Sequence, residues 1–156
     1  MTIRPAARAD AAQIAVIWNH AIRDTTITFN PTEKTEAEVA DLCAGQTLVW
    51  EEGSRIMGFT RFFQFRGGDG YRYTAEHTIL LHEDAKGRGG GRALMTATCD
   101  AARAAGYHSL FAGCSAENPG AVAFHAACGF QTVATLRQVG FKFGRWIDLV
   151  LMQKML

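Results

Sequence analysis

Ile79-Leu80-Leu81-His82-Glu83-Asp84-Ala85-Lys86-Gly87-Arg88-Gly89-Gly90-Gly91-Arg92-Ala93-Leu94 passes from an apolar, strand-like run, through four glycines, into a helical pattern. Glycine carries no Cβ, so this backbone can curl tightly and aim its N–H groups at one point beside a helix N-terminus. Helix dipole and amide donors together suit a pyrophosphate, and Lys86, Arg88 and Arg92 add positive charge around it. A bare glycine cluster also makes plain turns, so its context has to carry the reading. The chain has no G-x-x-x-x-G-K-[ST] P-loop. A Rossmann fingerprint would lie on the first strand-helix turn of a parallel unit, which this loop does not.

Working outward, Thr2–Arg4 reads as an opening strand. Asp10 followed by Gln13 looks like a capping box, and Ile14, Ile17, Trp18, Ala21 and Ile22 recur at helical spacing, predicting a helix over Asp10–Arg23. A shorter helix is expected over Thr35–Ala44, stopped near Gly45. Thr47–Glu51 and Ile56–Phe65 form a hairpin pattern, and Gly67–Gly70 turns the chain into a strand over Tyr71–Leu81. A helix over Gly89–Ala105 follows, with Leu94, Met95, Ala101 and Ala102 on one face. Next come a strand over Ser109–Cys114 and a helix from Asn118-Pro119 to Cys128, with asparagine as N-cap. Gln131–Val139 and Trp146–Gln153 are the last strands, joined by residues 140–145. The order β-α-α-β-β-β-α-β-α-β-β predicts a mixed α/β sheet with helices on both faces.

The whole chain, 1–156, reads as a single domain: no repeat, linker or low-complexity tract divides it. Hydrophobic residues make up 48% and charged residues 20%, as in a globular protein. With a net charge of +1 and no basic run, nucleic acid is not an expected partner. The N-terminal residues lack a signal-peptide build, and no apolar stretch is long enough to cross a bilayer, so a cytosolic protein without membrane contact is expected. Cys43, Cys99, Cys114 and Cys128 form no C-x-x-C pair and read as small buried hydrophobes. Cys114, at a strand end, has no feature that would activate its thiol. His20, His82 and His108 share no metal-ligand spacing, so no metal is expected.

Lys86-x-x-Gly89-x-Gly91 resembles the [Q/R]-x-x-G-x-[G/A] signature of the GNAT superfamily of N-acetyltransferases, placed between the fourth strand and third helix, with lysine at its first position. Thr74-Ala75-Glu76-His77-Thr78, Asn118 with His125 and Gly129-Phe130, and Gln138–Asp148 resemble the branch of phosphinothricin and methionine sulfone or sulfoximine acetyltransferases. The resemblance implies one mixed, mostly antiparallel twisted sheet of seven strands with splayed central strands and four helices on its two faces. It implies acetyl-CoA as co-substrate, no metal, and a homodimer whose last loop and strands complete the neighbour's site. The activity implied is transfer of acetyl to the primary amine of an amino-acid-like molecule in a ternary complex. Within the class, a protein N-terminus, a polyamine or an aminoglycoside is the alternative acceptor. Outside it stands a non-catalytic acyl-CoA sensor.

Transferred here, the amide of Leu81 would pair with the pantetheine arm and that of Ile79 would polarise the thioester carbonyl. Lys86, Gly87, Arg88, Gly89, Gly91 and Arg92 would surround the diphosphate. Glu76, on the same strand, is the expected base, because an amine attacks only when neutral. His125 stands where many members carry a tyrosine acid, and a helix histidine packed for structure is the alternative. Asn118 reads both as N-cap and as a partner of the cofactor arm. Arg72 could take an acceptor's carboxylate through two hydrogen bonds. Phe29, Tyr73, Lys142 and Phe143, with Arg145 and Trp146 beside them, are further candidates for the pocket. His77 should face away from Glu76, because strand side chains alternate.

Overall fold

A computed structural model describes residues 1–156. Its elements are β1 (Thr2–Pro5), α1 (Ala11–Asp24), α2 (Glu36–Cys43), β2 (Thr47–Glu52), β3 (Arg55–Gln64), β4 (Thr74–Leu81), α3 (Gly90–Ala104), β5 (Ser109–Ser115), α4 (Pro119–Ala127), β6 (Gln131–Lys142) and β7 (Arg145–Met155). The seven strands form one sheet in the order β1-β2-β3-β4-β5-β7-β6. Every neighbouring pair is antiparallel except β4 and β5.

Alternation along the strands sends successive side chains to two cores. On one side Val49, Phe59 and Leu80 pack under α1 and α2, against Ile14, Ile17, Trp18 and Ile22, the stripe expected from the sequence. On the other, Phe62, Ala75, Leu110 and Met152 pack beneath α3, against Met95, Cys99 and Ala102. Trp50 joins Leu94 under the start of α3. Helices thus cover both faces, and none is long and apolar enough to cross a membrane.

Three local expectations are corrected. Asp10 does not cap α1 with its side chain. Its carboxylate takes the Arg4 guanidinium at 2.7 and 2.9 Å and the Ala7 amide at 2.7 Å, and Gln13 bonds the backbone of Ser54 and Ile56 instead. A bidentate charge-assisted pair outcompetes a single helix amide, and it holds the Asp10 carboxyl below the usual range. The fourth strand starts at Thr74 rather than Tyr71, because Asp69–Tyr71 winds into a 3₁₀ turn after Gly68 at φ 99°. Finally, residues 140–142 and 145 are strand rather than loop: Gly140 pairs with Ile147 and Lys142 with Arg145, leaving Phe143-Gly144 as a two-residue turn. Both turn residues have positive φ, 51° and 74°, the geometry that matches a hairpin's twist.

Where α3 begins, Gly90 lies against the indole of Trp50, and a Cβ there would overlap the ring. Gly90→Ala is therefore expected to destabilise the fold by about 1–3 kcal/mol through overpacking. Urea unfolding should show a lower midpoint at unchanged slope.

Candidate active site

β4 and β5 pair only from Thr74↔Ser109 to His77↔Ala112. Beyond that they part, and a cavity of ≈ 620 Å³ opens between Thr78–Leu81 on one side and Gly113–Ser115 on the other. It passes through the plane of the sheet. Ile17, Ala21, Thr25 and Phe29 line it from the α1 face, and Ala121, Phe124 and His125 from the α4 face.

The edge of β4 that faces this gap follows from hydrogen-bond alternation. Phe65 N donates to Thr74 O, and His82 N donates to Met57 O, so even-numbered residues bond β3. Ile79 and Leu81 consequently turn their N–H and C=O groups toward β5, where no strand meets them. These are the two residues whose amides the sequence reading gave to the thioester carbonyl and to the pantetheine arm, in that order.

At the outer end of that edge lies the glycine loop. Gly87 and Gly89 both sit at φ 77°, with open space where a Cβ would project. A side chain caps α2 (Thr35) and another caps α4 (Asn118), but none caps α3. Its first-turn amides therefore lack both an internal carbonyl and a capping oxygen. Gly91 packs under Leu81 and Phe124, bringing the helix start against the parted strand. Main-chain donors at a bare 15-residue helix N-terminus fit a diphosphate. Lys86 and Arg92 are exposed beside it, whereas Arg88 is already paired with Glu52.

Glu76 lines the cavity, its Oε1 close to Gly113 of β5. No charge or hydrogen bond compensates it, and burial alone pushes its carboxyl above the ordinary 4.5. A carboxylate so placed is a better base than one in water. His77 follows on the opposite face, as alternation requires, packed on His125 and Phe130 at ring distances of 5.1 and 5.6 Å. Neither of its ring nitrogens has a partner. Burial, and secondarily His125, pushes it down to about 3.

His125 is buried on α4 with Nδ1 at 2.7 Å from Ala121 O. A carbonyl only accepts, so Nδ1 carries the proton and Nε2 a lone pair. Nε2 is buried without a partner, and burial lowers the residue's pKa. In this tautomer the ring can receive a hydrogen bond but has no Nε2 proton to give. Cys114 Sγ lies 3.4 Å from Nδ1, and burial pushes its thiol up to about 11. That removes the thiolate an acyl carrier would need. Asn118 Oδ1 caps α4 at Ala121 N, 3.1 Å, while its side chain also lines the cavity.

The remaining candidates do not converge. Phe29 lines the cavity with its ring pressed on Gly140. Arg72 and Tyr73 stack on each other at 4.7 Å, exposed and outside the lining residues. Phe143 is exposed at the hairpin tip, on a separate shallow depression with Glu117, Asn118 and Arg145. Lys142 is buried, and its Nζ donates to Thr25 O and Thr28 O at 2.6 and 2.8 Å and reaches Ala21 O at 3.4 Å. All three of its protons are committed to main-chain carbonyls. No lysine or arginine lines the cavity. Sequence reasoning missed the wall from α1 and the loop after it, His20, Thr25 and Thr28, which carries no motif. It also missed Gly113, whose signal was a glycine inside a strand. Nowhere do three His, Cys, Asp or Glu side chains come together as a metal site would need.

Residues 14–130 match the model of the acetyltransferase (GNAT) family. An L-methionine sulfoximine/L-methionine sulfone acetyltransferase of Salmonella typhimurium is 40% identical, over 98% of this chain and 93% of its own. A phosphinothricin N-acetyltransferase of Alcaligenes faecalis is 33% identical, over 98% and 81%. The solved structure of a Salmonella typhimurium acetyltransferase with its cofactor acetyl-CoA superposes with a TM-score of 0.95 at 37% identity, covering 99% of this chain and 93% of that one. A family match running from the first helix to the residue before β6, with relatives spanned almost end to end, makes this chain a member of the acetyltransferase (GNAT) family.

Proposed function

We propose that the protein transfers the acetyl group of acetyl-CoA to the primary amine of a small amino acid analogue of the methionine sulfone, methionine sulfoximine or phosphinothricin type. The observation that carries this is the unpaired edge at Ile79 and Leu81, running from the glycine loop to Glu76. The α3 amides hold the diphosphate, with Lys86, Arg92 and the loop around Gly87–Gly91 about it. The β4 edge takes the pantetheine as an added strand, and one of its amides faces the developing oxyanion, a donor worth about 3 kcal/mol. Asn118 and His125 Nε2 meet the arm from α4, the second as an acceptor.

Glu76 takes a proton from the ammonium form of the acceptor, directly or through one water, so that the amine nitrogen can attack the carbonyl carbon. As the C–N bond forms and the C–S bond breaks, nitrogen loses a second proton and the thiolate gains one. The balance is acetylated amine, free thiol and one proton released. His125 can serve the thiolate as an acid only after taking up a proton at Nε2.

The same reading takes residues 1–156 as one catalytic domain, acting in the cytosol as a homodimer. β6 is an edge strand, and Val139, Phe141 and Trp146 stand exposed on its hairpin with β7, the last two rings 4.9 Å apart. Exposed apolar residues on an unpaired edge support a second copy there. Arg72, Tyr73 and Phe143 lie outside the cavity of one chain and enter the site only through that copy. Trp146→Glu is expected to halve the mass measured by light scattering, and a wild type already monomeric would remove the dimer from the reading.

The assay that tests the function is thiol release from acetyl-CoA. The amine panel is methionine sulfone, methionine sulfoximine, phosphinothricin, a polyamine, an aminoglycoside and a peptide N-terminus. Turnover is expected on the first three. Tight coenzyme binding with no turnover on any amine would identify a sensor instead.

A further inference from the structure

We infer that Lys142 is a positioning residue that sets the acceptor wall of the cleft, holding the segment Thr25–Phe29 at a fixed distance from Glu76. The inference rests on the acetyltransferase reading above. Lys142 ends β6 with its side chain turned inward, 4% exposed. Its ammonium spends its protons on Thr25 O, Thr28 O and Ala21 O, at 2.6, 2.8 and 3.4 Å. Two of these carbonyls belong to the C-terminal end of α1, whose partial negative charge suits a cation. No carboxylate shares the site, and burial of the unpaired charge lowers its pKa.

A buried ammonium is a costly way to fill space, since a methionine would pack there without desolvating a charge. What the ammonium does, and methionine cannot, is gather three carbonyls of one chain segment onto a single point. That segment is a wall of the cavity: Thr25, Ile27, Thr28 and Phe29 all line it. Two residues before Lys142 on the same strand, Gly140 receives the Phe29 ring so closely that any Cβ would collide with it. β6 therefore grips the segment twice, once through the ammonium and once through the ring. The opposite wall is β4 with Glu76. An acceptor lying between the two walls is presented to the carboxylate at a distance the grip decides, and such reactions are sensitive to displacements of about 1 Å. Lys142 acts through main chain, touching neither coenzyme nor acceptor.

The test is Lys142→Met in the full chain, with steady-state kinetics on both substrates and amide exchange across residues 25–29. Expected is an acceptor KM raised by about tenfold or more, with exchange accelerated in the segment and the acetyl-CoA KM unchanged. Lys142→Arg should not rescue, because a planar fork does not match three converging carbonyls. Should Lys142→Met fail to fold, Gly140→Ala displaces the same segment by pushing Phe29 away, and the same selective rise in acceptor KM is expected. In either variant, KM values for both substrates that move together, or faster exchange at unchanged acceptor KM, would overturn the inference. A wild-type enzyme that acetylates no amine sinks the functional reading and this role with it. An active wild type with indifferent variants sinks this role alone.

Discussion

Glu76→Gln should lower kcat by about 10²–10⁴-fold, the span of a general base, while leaving the acetyl-CoA KM where it was. Glutamine keeps the shape and hydrogen-bonding reach of the side chain and removes only its ability to take a proton. The same variant should change stability in the opposite sense. Glu76 has no charged or hydrogen-bonding partner, and burial raises its carboxyl above 4.5. Below 4.5 the group is protonated in both the folded and unfolded chain and costs nothing. As pH rises through the raised folded value, the unfolded chain ionises more readily than the folded one, and stability falls. Glu76→Gln escapes that loss. Its melting temperature should equal the wild type's at pH 4 and exceed it at pH 8. The acid limb of the wild-type profile of kcat/KM for the acceptor should disappear in the variant, leaving only the titration of the amine itself. Unchanged turnover at neutral pH would take Glu76 out of the mechanism. A variant less stable at pH 8 would show that the carboxylate has a partner the structure does not contain.

Gly89→Val should raise the dissociation constant for coenzyme A by about ten- to a hundredfold, equivalent to one or two lost charge-assisted hydrogen bonds. Gly89 stands at φ 77° immediately before α3, a conformation closed to a β-branched residue. The loop must then turn differently and carry the uncapped amides away from their common point. Because no protein atom lies within 4 Å of a Cβ at this position, crowding against the fold would not account for the loss. Calorimetric titration with coenzyme A, alongside Arg92→Ala, separates the two contributions. The glycine change should remove most of the affinity, and the exposed arginine should show its share mainly at low ionic strength. Undiminished affinity in Gly89→Val would place the diphosphate elsewhere.

The two variants probe parts of the site that were unequally legible. Gly87 and Gly89 announce a backbone device by their identity, because only glycine takes φ near 77° freely, and the strand before them and helix after them show their periods plainly. The α1 stripe from Ile14 to Ile22 was legible for the same reason: a local repeat reports a local conformation. Glu76 was singled out by motif, yet its lack of a partner could not be read there, since that depends on Gly113 and the divergence of β5, strands apart in sequence. The strand boundary at Tyr71 misled because aromatic residues favour strands on average and neighbours overruled that average, and the last loop was read too long because Gly140, a residue of turns by its type, sits in the strand opposite Ile147.

What the amino-acid order determined unaided was the order of the main elements, the glycine loop before α3 and the strand that carries Glu76. Each of these depends on residues within a few positions of one another. Whether Lys142 meets a ligand or Ala21, Thr25 and Thr28, whether His125 carries its proton on Nδ1, and whether Arg72 looks into the cleft were decided only when distant segments met. A side chain's partners are whatever the packed chain brings within about 3 Å, and no short-range pattern encodes that distance.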